Sequence, residues 1–138
     1  MAYSERPMLQ SPLGAIPPKW TTARLKDLTT KIGTGATPRG GSAVYLPSRS
    51  TWALVRSQNV FDRRFAPDGL SFISEDHARQ LNNAVIQASD VLLNITGDGV
   101  TFSRACLAPS SCLPACVNQH VAIIRTRPDK CHSGYLLS

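Results

Sequence analysis

The sequence predicts one mixed α/β domain of the α+β type, with an irregular, mostly antiparallel sheet and a few short helices. Three observations lead there. The clearest apolar runs, Val91–Ile95 and Val121–Ile124, have strand length and are rich in β-branched residues, as buried strands are. Helix start signals are confined to short segments after Ser74 and Ser133. Glycine, proline and serine punctuate the stretches between. A chain of 138 residues with 42% hydrophobic content is one ordinary domain with enough apolar material for a core.

Taken in order, residues 1–18 are proline-rich and poorly periodic, and read as a flexible leader or extended arm, with the domain proper spanning 19–138. Trp20, Ala23, Leu25 and Leu28 fit neither the helical nor the strand period cleanly; the reading is a strand followed by a short turn. Ile32–Pro38 is a glycine-punctuated loop that residues 39–50 prolong, and an irregular stretch of that length inside a compact domain is a candidate binding element. Trp52–Val55 reads as a strand, followed by the polar Arg56–Asn59 and the apolar pair Val60–Phe61. Leu70–Ile73 is another short strand. Ser74 then caps a helix with Glu75 and Asp76 in its first turn, where the helix dipole favours acids, ending near Asn82–Asn83. After the strand at Val91, Thr96-Gly97-Asp98-Gly99 suits an ordinary hairpin turn as well as a close approach to another chain. Ser133 would cap a last helix.

Fifteen Lys plus Arg against nine Asp plus Glu leave a net charge of +6, and eleven of the fifteen cations are arginine. The planar guanidinium fork suits phosphate and guanine edges, so a polyanionic partner, nucleic acid above all, is expected. No run approaches the roughly 18 apolar residues of a membrane span, and the first residues lack the apolar core of a secretory signal, which predicts a cytosolic protein without membrane contact. Cys106, Cys112, Cys116 and Cys131 admit disulfides, a metal site or plain thiols. They form no C-x-x-C, and reduced thiols are the favoured reading, with no metal or other cofactor expected.

The motifs, in their order, resemble the target recognition domain of the specificity subunit of type I restriction-modification systems. Pro17-Pro-Lys-Trp20, Leu25-Lys-Asp-Leu28 and Gly35-Ala-Thr-Pro38 open the series. Trp52, Asn59-Val60 and Ile73-Ser-Glu-Asp-His-Ala78 follow, then Asp90-Val-Leu92, Thr96-Gly97, Arg104 and Asn118-Gln119, so the likeness covers roughly residues 16–138. It departs at Ala43–Ser50, which lacks the expected Tyr-Trp and Gly-x-Ile-Pro run. The resemblance implies a domain that reads one half of a bipartite double-stranded DNA target and performs no chemistry, directing partner methyltransferase and restriction subunits. It also implies a second recognition domain and long spacer helices, so the sequence looks like half a subunit. Similar recognition domains also occur fused to methyltransferases and nucleases.

Because members of that family read different sequences, the shared motifs suit folding and phosphate contact, and base readers are expected between them. The candidates are Thr34, Arg39, Ser42, Tyr45 and Arg49 in the long loop, Gln58, Arg63 and Arg64 after the second strand, and Thr101 near the glycine turn, with Arg104 on phosphate. Asn118 and Gln119 are expected to satisfy backbone groups internally, and His120 to be a buried, satisfied histidine rather than a catalytic one. No phosphate-binding G-x-x-x-x-G-K-[ST] loop, G-x-S-x-G elbow or methyltransferase Asn/Asp-Pro-Pro-aromatic motif is present, so no catalytic residue is assigned. A small-anion-binding module, with Gly33-Thr-Gly35 or Gly97-Asp-Gly99 as cradle, is the second class the sequence allows.

Overall fold

The computed structural model describes residues 7–138; the first six residues of the expected leader lie outside the described part. Where the remainder of that leader is expected to be flexible or extended, strands β1 (Leu9–Ser11) and β2 (Gly14–Ile16) form an antiparallel hairpin. The Ser11 hydroxyl closes its turn, donating to the Gly14 carbonyl and accepting the Leu13 N–H. Helix α1 (Leu25–Leu28) is a single turn, and β3 (Thr29–Thr34) follows at once. The sequence reading of a strand and then a turn is therefore reversed here, and the glycine loop begins three residues later than expected.

The reason is that β3 is an edge strand with inverted polarity. Its inward positions are Thr29, Lys31 and Gly33, whereas Ile32 points outward and is 52% exposed. No apolar alternation marks it, so the period-2 signal fails.

Strand β4 (Trp52–Val55) forms where expected. A 3-10 turn over Ser57–Asn59 leads to β5 (Val60–Phe61), which pairs with β6 (Arg64–Phe65) in a tight hairpin. Then come β7 (Ser71–Ile73), α2 (Glu75–Gln80), β8 (Val91–Asn94), β9 (Ala105–Leu107), β10 (Ala115–Val117), β11 (Val121–Thr126) and α3 (Ser133–Leu137). Ser74 caps α2 as the sequence predicts, its Oγ accepting the His77 N–H. For α3 the cap is His132, whose Nδ1 accepts the Gly134 N–H; Ser133 is already inside the helix.

Two sheets make the frame. One has the order β3-β11-β8-β9 and is antiparallel throughout; the other has the order β10-β4-β7, with β10 parallel to β4 and β7 antiparallel to it. The mixed, mostly antiparallel α+β class is as the sequence predicts. Both sheets share one core: Leu54, Val55 and Ile73 from the smaller sheet meet Leu92, Cys106, Val121 and Ile123 from the larger. Central strand β4 is buried along Ala53–Val55, and β11 along Val121–Ile124. That is why these two read as near-continuous apolar runs.

The cysteines belong to this core. Cys106, Cys112 and Cys116 lie in it, and all four are free thiols. Burial pushes the Cys106 thiol up to about 12 and Cys116 to about 11, which keeps both protonated and unreactive at neutral pH. Among the described residues, no cluster of three or more His, Cys, Asp or Glu side chains is placed to hold a metal ion.

The sheets are locked together where β10 turns into β11. Asn118 donates its backbone N–H to Val55 and accepts the Gly35 N–H on its carbonyl. A Cβ on Gly35 would sit 1.7 Å from the Val117 carbonyl oxygen, whereas one on Gly33 would meet nothing within 4 Å. Gly35 is thus required by close backbone approach. We expect Gly35→Ala to cost about 3 kcal/mol or more and Gly33→Ala under about 1 kcal/mol in chemical denaturation; equal effects would remove the packing argument.

Candidate nucleic-acid interface

Arginines are the residues whose placement decides what this surface can do, and the fold sorts them into two groups. Several are consumed by architecture. Arg125 forms a bidentate ion pair with Asp90, both N···O distances 2.8 Å, and Asp90 also accepts the Gln87 N–H. The hydrogen bonds to Asp90 raise the Arg125 pKa further, so the guanidinium stays charged. It holds the start of β8 against β11, which gives the Asp90-Val-Leu segment a structural role. Arg79 pairs with Glu75 and Asp76 along α2 in full solvent. Arg49 donates to the carbonyls of Thr51, Cys112 and Pro114, pinning the loop before β4 against the segment after β9. Arg56 donates to Gly69 and lies 5.6 Å from the Tyr45 ring centroid.

The second group gathers at the β5–β6 hairpin. The guanidinium of Arg64 lies 4.6 Å from the Phe61 ring centroid, and that of Arg104, which immediately precedes β9, lies 4.7 Å from the same ring. Arg63 occupies the hairpin turn with φ 58, a left-handed conformation that costs a non-glycine residue about 1 kcal/mol, and its backbone N–H donates to Ala105. Among the described residues, Arg63, Arg64 and Arg104 form no salt bridge and no side-chain hydrogen bond, although the charge of Arg104 is felt by the exposed Asp98 carboxylate. Two cations against one aromatic ring, neither held in a salt bridge, favour an anion there. Arg49, Arg63 and Arg64 also line a cleft of about 530 Å³ that continues to Leu107, Pro109 and Ser111.

The cluster is held by two buried asparagines. Asn59 accepts the Arg56 N–H and donates to the carbonyls of Ala66 and Asp68, closing the base of the hairpin. Asn94, at the end of β8, reaches from one sheet to the other: its Nδ2 donates to the carbonyls of Ser57, Val60 and Thr101 at 3.0, 3.4 and 3.0 Å. One amide nitrogen therefore positions the turn before β5, the strand carrying Phe61 and the loop that returns to Arg104. Asn94 stands in the apolar run Val91–Ile95, and a polar residue inside a buried strand is the signal that could have marked it.

The loop joining β8 to β9 spans residues 95–104, so it is a long, self-braced connection rather than the tight glycine turn that was one reading. Asp98 Oδ1 accepts the N–H groups of Val100 and Thr101, and its carbonyl accepts that of Phe102. These bonds hold the Asp98 carboxyl below its ordinary 3.8. They also set a carboxylate against the Gly97-Asp-Gly99 turn, which disfavours an anion there. The other cradle is disfavoured as well: Gly33 and Thr34 are strand residues and Gly35 is packed on Val117.

The other predicted site residues fall elsewhere. Thr34 is exposed at the end of β3, opposite Ala122. Arg39 is exposed on a separate cleft with Thr37, Gln80 and Leu81, and Ser42 is exposed in a 3-10 turn over Gly41–Val44. Tyr45 is half-buried against the core, and Thr101 is half-buried in the braced loop. Gln58 is exposed just before β5. Asn118 is internal, its Oδ1 accepting the His120 N–H, while Gln119 is exposed. His120 is half-buried and hydrogen-bonds Thr96 through Nδ1.

An α+β frame of two small sheets that presents braced loops and a hairpin is the class of domain defined here, and it is HsdS-like. The solved structure of the HsdS subunit from Thermoanaerobacter tengcongensis matches with a TM-score of 0.62 over 92% of this chain, at 21% sequence identity. The chain spans 28% of that subunit's length. The likeness first carried by motif order is thus also a likeness of fold. No family model matches the sequence, and no curated protein matches it.

Asn94→Ala removes a buried donor shared by three carbonyls and is expected to cost about 3 kcal/mol by denaturant titration. For Asp98 the sign follows from its lowered pKa. The loop gains stability above the ordinary carboxylate value and loses it as pH falls through the lower folded value, so the Val100 and Thr101 amide resonances should shift together below pH 3.8 and stay constant above neutral-side values. In Asp98→Asn that titration should vanish.

Proposed function

We propose that this chain is a DNA target recognition domain of the kind found in type I specificity subunits, docking on one half of a bipartite duplex site. The observation that carries the reading is the Arg64–Phe61–Arg104 stack with Arg63 beside it: cations outside any salt bridge, on a hairpin and loop fixed by buried amides. A solvated surface charge needs no such support, whereas a phosphate or base contact gains affinity from guanidinium groups already held in place. The HsdS-like fold and the net charge of +6 support the same reading.

In this reading Arg104 neutralises a phosphate, and Arg63 and Arg64 reach base edges in the groove. The protein is not an enzyme; methylation and cleavage belong to methyltransferase and restriction subunits that assemble around a specificity subunit, and a second recognition domain reads the other half-site. Contact through one domain alone would forgo the gain in effective concentration that two linked domains provide.

Gel shifts over a range of salt concentrations, followed by selection from a random duplex pool, test the proposal. Affinity should fall steeply with salt, and the selected pool should contain a motif of a few base pairs. Arg104→Ala should weaken binding equally for all sequences and reduce the salt slope by about 1, whereas Arg64→Ala should lose about 1–3 kcal/mol on the selected site and relax its specificity at one position. Arg63→Gly relieves the left-handed backbone while removing a cation, so stability should rise by about 1 kcal/mol as affinity falls. Binding that is absent, or indifferent to salt, would defeat the reading.

A further inference from the structure

We infer that the apex of the β8–β9 loop is an apolar wedge that enters the base stack of the duplex, with Phe102 as the inserted side chain and Val100 packed behind it in the groove. This inference rests on the DNA-binding reading above. Val100 is 65% and Phe102 54% exposed, although the domain has a well-formed core in which both could be accommodated by a slack loop. The loop is not slack. Asp98 fixes the Val100 and Thr101 amides, the Phe102 N–H donates back to the Asp98 carbonyl, and the Ser103 N–H donates to Asn94. Gly97, with φ 129, lies so close to Thr101 that a Cβ there would meet its Oγ1 at 2.2 Å.

Directly after Phe102, Ser103 takes a left-handed backbone with φ 69. The chain therefore accepts strain at the residue that turns Phe102 outward. Such an apex has the properties of an intercalating side chain: large, apolar, exposed and held rigid.

Its surroundings select the partner. Thr101 and Val60 share the Asn94 amide, so the apex adjoins the strand that carries Phe61 and its two stacked arginines. An apolar tip flanked by cations outside any salt bridge, with the one carboxylate of the loop, Asp98, accepting the Val100 and Thr101 N–H groups, is complementary to a polyanion with an apolar interior, and stacked base pairs inside a phosphate envelope are that. A protein partner would need an acidic rim around an apolar pocket, and would leave DNA binding unaffected by changes at the apex.

The test uses the full chain and duplexes enriched by it from a random pool, carrying 2-aminopurine in place of adenine at successive positions. Wild-type binding should raise the fluorescence at one base step, reporting local unstacking. Phe102→Ala should abolish that rise and weaken binding about tenfold, the loss expected for one base–aromatic contact, with the salt slope unchanged. Phe102→Leu should retain part of the rise. Because Phe102 is exposed, both variants should unfold at the wild-type denaturant midpoint. Tight, salt-dependent binding with no unstacking, or unstacking that survives Phe102→Ala, overturns the wedge and leaves the DNA reading intact. Failure of the wild-type chain to bind any duplex overturns both.

Discussion

The candidate surface of this domain is braced by one buried side-chain amide. Asn94 is buried at the end of a core strand, and its nitrogen donates to carbonyls of the turn before β5, of β5 itself and of the β8–β9 loop. Two of them belong to the hairpin region and one to the β8–β9 loop. An apolar residue of similar size would remove a buried donor shared by three carbonyls, which weakens the hold on each segment. The amide adds to the backbone bonds that join the hairpin and the loop, Arg63 N–H to Ala105 and Ser103 N–H to Asn94.

What that surface presents follows from how the cations are distributed. Arg125 and Arg49 are bound to groups inside the fold, and both are positioned by more than one contact, so they support the scaffold rather than its exterior. Arg64 and Arg104 are positioned differently, by lying on the Phe61 ring, which orients the guanidinium planes without consuming their hydrogen-bond donors. The distinction separates structural arginines from available ones on geometry alone. Net charge by itself could not have made it.

Strands whose burial is nearly complete were legible in the sequence, because Trp52–Val55 and the runs 91–93 and 121–124 are apolar on both faces. The cap of α2 was legible for a local reason, a hydroxyl placed ahead of two acids. Edge strand β3 was not, since its outward Ile32 and inward Lys31 invert the expected pattern. Strands β9 and β10 were hidden by short Ala/Cys segments, whose cysteines raised questions of metals and disulfides when they are packing residues of the core. The β5–β6 hairpin lacks a turn glycine, because Arg63 adopts the positive φ itself. At the candidate site, residues 63, 64 and 104 were named from their type and place between or within motifs. That Phe61 unites two of them, and that Arg49 is spent on carbonyls, are facts of tertiary geometry with no local trace.

The parallel pairing of β10 with β4 has a consequence for how the chain is made. Residues 53–55 wait for residues 115–117, and β11, the strand between β3 and β8, comes later still. Until residues 115–126 are in place, β4 and β8 each keep one side of apolar backbone unpaired, a template for neighbouring chains. Loss of those two strands therefore uncovers strand edges rather than trimming the domain to a smaller folded one.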